Sequence, residues 1–134
     1  PIVSVAITGL YAALAALLIL ALGLNVSLQR RAHGIGLGSG PNGEIVRAVR
    51  AHANAVEYVP LALVLLLLLE LGGWSAAVLH ALGLALIVGR LAHAQGLLVR
   101  GGWVSPGRFL GTLATWTVIA SAAVMLVWSF WQAP

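Results

Sequence analysis

The sequence predicts an all-α integral membrane protein, one bundle of four transmembrane helices. Three observations carry that expectation. Of the 134 residues, 61% are hydrophobic. Only 7% are charged, where a soluble domain has roughly 25%. The apolar runs are separated by clusters of Gly and Pro, and each helix pattern is long enough to supply the roughly 20 residues that cross a bilayer. Four spans of that size use about 80 residues and leave only short loops, so residues 1–134 form a single membrane domain with no room for a separate nucleotide-binding or soluble catalytic module. The seven basic residues are all Arg and the three acidic ones all Glu. With no Cys, disulfides, Cys-ligated metals and a protein thiol nucleophile are excluded.

The first helix is expected over residues 2–31. It is uncharged until Arg30 and Arg31 close it, the reverse of a signal peptide, whose basic residues precede its apolar core. A loop rich in Gly follows, from Gly34 to Gly43 with Pro41. The second helix is expected over residues 44–71. Its uncharged stretch, residues 58–69, is too short to span alone, so the polar turns from Glu44 to Glu57 belong to the same helix. Pro60 removes a backbone donor there, which predicts a local kink or opening. Gly72 and Gly73 turn the chain into a third helix over residues 74–100, carrying His80, Arg90 and His93. Residues 101–107, with Pro106, form the last breaker cluster, and the fourth helix is expected over 108–131, ending in Trp128 and Trp131 at an interfacial aromatic belt. Basic residues flank the first and third connections, while the middle turn and both termini have none. The positive-inside rule then puts the Arg-bearing loops in the cytoplasm and both termini outside.

At about 100° per residue, Arg47, Arg50, Asn54, Glu57 and Tyr58 share roughly a third of the circumference of the second helix. His52 and Glu70 project elsewhere. Ionisable groups inside a bilayer face the bundle interior and have partners, so such a stripe marks a functional site. The plainer alternative is an internal ion-pair network of Arg50, Glu57 and Arg90 that fixes helix register, with Arg47 snorkelling to headgroups. Arginine nevertheless outnumbers glutamate at this end of the chain, and guanidinium forks suit carboxylates. The surplus predicts an anionic ligand.

The string from Arg50 to Pro60, with its Arg-x3-Asn-x2-Glu-Tyr-x-Pro spacing and the leucine run behind it, resembles the second-helix signature of the MAPEG family, the membrane-associated proteins in eicosanoid and glutathione metabolism. Arg30-Arg31, Gly40-Pro41, Gly89-Arg90-Leu91-x-His93 and Arg108 extend the resemblance over nearly the whole chain, and the bacterial members are the most similar. It implies a homotrimer in the bacterial inner membrane with glutathione as cofactor, bound between neighbouring subunits near the cytoplasmic side. By the same resemblance, Arg50 and Asn54 would hold the carboxylates and backbone of glutathione, Glu57 its amino group, and Tyr58 would lie against the peptide. Arg30, Arg90 and His93 would complete the pocket from a second chain, and Arg108 would stabilise the thiolate, with Arg100 as the substitute candidate. An apolar substrate would arrive from the bilayer between helices one and four. Where the eicosanoid-forming members have tyrosines on the third helix, this chain has His93 and Leu97, and Ala53 replaces a basic residue.

The resemblance implies a membrane glutathione-dependent transferase or peroxidase that acts on lipophilic electrophiles through an Arg-stabilised thiolate. The alternative is a catalytically silent member serving as a structural or accessory subunit of a larger membrane complex. No metal site is expected: His80 and His93 lie 13 residues apart on one helix, about 20 Å. A Ser-based triad lacks Asp and a suitably flanked Ser, and a transporter would need paired broken helices.

Overall fold

The computed structural model describes residues 5–38, 43–99 and 105–132. They form four helices: α1 (Ala6–Ala32), α2 (Gly43–Leu71), α3 (Ala76–Leu98) and α4 (Pro106–Gln132). All four are long and apolar enough to cross a membrane. With 23 to 29 residues each, they measure about 35 to 44 Å, against a hydrocarbon core of roughly 30 Å. The expected starts and ends at residues 2 and 100, Gly40-Pro41 and Arg100 itself lie outside the described residues.

Local chemistry sets the ends of these helices. After α1, Gly34 adopts φ +65°, the Gly34 N–H reaches the Arg31 carbonyl at 3.3 Å and the Ile35 N–H reaches that of Arg30 at 3.0 Å. After α2 the pattern repeats: Gly73 has φ +78°, Gly73 bonds to Glu70 and Trp74 to Leu69, both at 3.1 Å. Each is a Schellman closure, which needs the left-handed conformation that glycine adopts without strain. Trp74 therefore belongs to the turn, and α3 starts two residues later than expected, after Ser75. At α4 the difference runs the other way. Pro106 occupies the first helical position, where its missing N–H costs nothing, and the Arg108 N–H donates to Ser105 Oγ at 3.2 Å, an N-cap. α2 continues through Pro60 as one helix.

The helices run alternately up and down. α2 and α3 occupy the middle: α1 packs on both and α4 packs on both, whereas α1 and α4 do not pack on each other. Buried positions on α2 recur at Ile45, Ala48, Ala51, Ala55, Val59, Ala62, Leu66 and Leu69, the spacing of one helix face. α3 and α4 approach most closely at glycines. A Cβ on Gly89 would meet the Ala114 methyl at 3.0 Å and the Gly111 carbonyl at 3.3 Å. Small residues at such a seam let two membrane helices touch backbone to backbone. One consequence is that Arg90 and His93 are brought directly against α4.

Large apolar side chains cover the outside, among them Leu17, Leu20, Leu24, Val124, Phe130 and Trp131. In water this would be a liability. In a bilayer it is the expected surface.

Candidate anion-binding site

The polar face of α2 lies beside its buried face, so its residues grade from interior to exterior. Arg47, Asn54 and Tyr58 are half-buried, while Arg50 and Glu57 are exposed. From α3, Arg90 and His93 are 2% and 4% exposed. Arg90 is the hub: one terminal nitrogen donates to Asn54 Oδ1 at 2.6 Å and the other to the Gly111 carbonyl at 3.0 Å. Its guanidinium lies 5.9 Å from the centre of the Tyr58 ring, within cation–π range. Its Nε is buried with no hydrogen-bond partner among the described residues.

His93 sits one helical turn from Arg90, within electrostatic reach of Arg90, Arg108 and Arg50. A Cβ on Gly111 would press on the His93 backbone nitrogen and Cβ, so the absence of a side chain there lets α3 lie this close. Arg108 is exposed in the first turn of α4, with its backbone held by the Ser105 cap and packed beside Gly96. Asn54, Tyr58, Arg90, His93 and the Gly111 carbonyl thus form one contiguous group, with Arg50 and Arg108 at its edge.

Arg30 is not part of that group within one chain. Its terminal nitrogen reaches the Gly36 carbonyl at 3.5 Å, and it lines a separate open cavity of about 510 Å³ with Ser27, Arg31 and Gly34. The ion-pair alternative is corrected: among the described residues no ion pair joins Arg50, Glu57 and Arg90. Arg90 binds a neutral amide and a carbonyl instead, and Glu57 and Arg50 face outward without a hydrogen-bond or ionic partner among the described residues. The groove expected between the first and fourth helices does not exist inside a single protomer, because α1 and α4 are on opposite sides of α2 and α3. Among the described residues, an apolar groove within one chain lies against α1. It measures about 630 Å³ and is lined by Ala16, Ile19, Leu20, Gly23, Leu24, Ser27 and His52.

Three groups with structural roles stand outside the candidate residues drawn from the sequence. The Gly111 carbonyl is a backbone acceptor, invisible to a search of side chains. Ser105 was legible, since Ser before Pro is an N-cap followed by a first-turn proline. Glu70, off the polar stripe, acts at the opposite end of the bundle: its carboxylate accepts the Ile7 and Thr8 N–H groups at 3.0 and 2.7 Å. It caps α1 from the far end of α2.

Chemically, the group and its edge are rich in donors: the guanidiniums of Arg50, Arg90 and Arg108 and the Asn54 amide, against Glu57 as the one carboxylate of the polar face of α2. A buried cation without a carboxylate is costly in hydrocarbon, and its field favours an anion nearby.

Comparison with known proteins agrees in scale with this architecture. Residues 8–128 match the model of the MAPEG family. Inner membrane protein YecN of Escherichia coli strain K12 is 34% identical over 128 residues, covering 96% of this chain and 93% of its own length. The protein of the same name from Escherichia coli O6:H1 strain CFT073 matches equally, with the same identity and coverage.

Proposed function

The chain belongs to the MAPEG family and is an integral protein of the bacterial inner membrane, and from that premise we propose that it binds glutathione between the protomers of a homotrimer and uses the thiolate on lipophilic electrophiles. The observation that carries the reading is the pair Arg50 and Glu57, opposite charges exposed on a membrane helix with no partner among the described residues. They stand seven residues apart, about 10 Å along the helix. A zwitterionic peptide with carboxylates and an amino group satisfies both, and a neighbouring protomer covers them from lipid. The separation of α1 from α4 supports the same assembly, since a groove between them then forms only where two copies meet. In this reading both termini lie outside and the arginine end faces the cytoplasm.

The residues fit such a ligand by their chemistry. Arg50 provides a fork for a carboxylate, Asn54 provides amide donors, and Glu57 accepts from an ammonium. When bound, glutathione supplies the thiol nucleophile that this Cys-free chain lacks. Arg108 holds positive charge at the edge of the group, and in a poorly hydrated site a nearby guanidinium favours a thiolate over a thiol. His93 and Tyr58 line the space, and the apolar surface around it admits a lipophilic partner and excludes water.

A second reading, a silent subunit of a larger membrane complex, is favoured by one observation. Leu97 is 8% exposed and packs with Leu22, Ala51, Ala55 and Ala94, so the position where the eicosanoid-forming members have a tyrosine offers no polar group here. An ultraviolet difference spectrum of the purified protein, titrated with glutathione at neutral pH, separates the two. The enzyme reading predicts thiolate absorbance saturating at up to about one thiolate per subunit, lost in Arg108→Ala while binding persists. No thiolate band in the unmodified protein contradicts it.

A further inference from the structure

We propose that Arg90 is a positioning residue that acts through Asn54: it holds the Asn54 amide with its oxygen turned into the bundle, so that a ligand meets only N–H donors at that position. The inference deepens the glutathione reading and rests on it for the identity of the ligand.

Oxygen and nitrogen of an asparagine amide are interchangeable by shape, and the flip is decided by the partner. A guanidinium has donors and no acceptor, so the Asn54 atom 2.6 Å from it is the oxygen. Charge-assisted bonds of this length are about twice as strong as neutral ones. Arg90 is itself held in place, 2% exposed, bonded to the Gly111 carbonyl of α4 and lying over the Tyr58 ring at 5.9 Å from its centre. The orientation of one amide on α2 is therefore fixed by a residue of α3 that is anchored to α4. Asn54 is half-buried, and its Nδ2 has no partner among the described residues. With the oxygen side against a buried arginine, the open side of the amide is the NH₂.

Asn54 and Arg50, one turn apart, then present donors alone. They select a carboxylate or peptide carbonyl and reject an ammonium, which is left to Glu57. A freely flipping asparagine would accept either end of a zwitterionic peptide. Arg90 thus sets the direction in which the peptide lies along α2 without touching it.

The test is a double-mutant cycle read by calorimetric titration of glutathione into the full chain in lipid nanodiscs. Asn54→Asp keeps a partner for Arg90 and turns the exposed donor into an anionic acceptor, so its affinity should fall about ten-fold below that of Asn54→Ala. Equal affinities overturn the proposal. Arg90→Gln should weaken binding about ten-fold in the unmodified background and leave it unchanged in the Asn54→Ala background. An equal loss in both is the signature of a general packing role and overturns it. A second readout needs no ligand. The chain has three asparagines, Asn25, Asn42 and Asn54, so ¹⁵N-Asn labelling with Asn54→Ala as reference identifies the Asn54 NH₂ pair. Arg90→Gln should shift that pair and speed its rotation, and an unmoved pair refutes the positioning role. If the unmodified protein binds no glutathione, the glutathione reading fails while the amide spectrum still decides the role of Arg90.

Discussion

The two ends of the bundle solve the same problem differently. Where α1 begins and α2 ends, most polar groups find partners inside the chain: Glu70 caps the Ile7 and Thr8 N–H groups, Tyr11 Oη lies 3.0 Å from His80 Nδ1, and Trp74 Nε1 donates to Ser129 Oγ at 3.1 Å, with the buried Thr8 hydroxyl the exception among the described residues. Tyr11 packs over Gly83, and Glu70 is half-buried. At the arginine end, Arg90 is satisfied only by an amide and a carbonyl, and Arg50 and Glu57 point outward with nothing to pair them among the described residues. Polar groups in a bilayer are costly unless satisfied. A chain that satisfies them itself is using them to hold helices together. A chain that leaves them open relies on something that arrives from outside, whether ligand or neighbour.

The contrast is broken most severely by changing the frame beneath the arginine end. Gly111→Val would drive a side chain into the Gly89 carbonyl and the His93 backbone, and should cost at least about 4 kcal/mol or prevent folding, measured by chemical denaturation in detergent. Next in size is Arg50→Ala, which should weaken glutathione binding by about 2 to 3 kcal/mol while leaving the unfolding temperature nearly unchanged, since the guanidinium has no hydrogen bond among the described residues to lose. Glu70→Ala should do the opposite. Removing the cap of α1 should cost about 1 to 2 kcal/mol of stability, read by thermal unfolding, with glutathione affinity intact. The smallest effect belongs to Ser105→Ala, about 1 kcal/mol of stability. It sharpens the comparison, because it frays the turn that carries Arg108 and should lower turnover more than binding.

Much of this was legible in the sequence for physical reasons. Four apolar stretches broken by Gly and Pro specify four spans, because hydrocarbon admits little else. The polar stripe on α2 follows from the helical repeat alone, and Gly34 and Gly73 mark helix ends by the conformation they permit. Pairing was harder to read. Arg50 and Glu57 carry opposite charges two turns apart, which suggests an internal ion pair, yet both side chains point out of the bundle. Glu70 looked idle because its partners are backbone groups more than 60 residues away. Pro106 and Gly107 read as helix breakers when composition is considered alone, but a Ser-Pro start is a helix beginning. That α1 and α4 lie apart follows from which faces pack on α2 and α3, and hydropathy is silent on that order. The polar character of the arginine-end residues is plain in the sequence, but the burial of Arg90, which makes it a support for Asn54, depends on the glycine seam with α4.

The most direct test of the contrast is the unfolding temperature of the full chain in lipid nanodiscs, with and without saturating glutathione, for the unmodified protein, Arg50→Ala and Glu70→Ala. The account predicts that Glu70→Ala unfolds at a lower temperature but gains as much from glutathione as the unmodified protein does. Arg50→Ala should start near the unmodified value and gain nothing, because a ligand stabilises only what binds it. Equal stabilisation of Arg50→Ala by glutathione, or its loss in Glu70→Ala, would contradict the division of the bundle into a self-satisfied end and an open one.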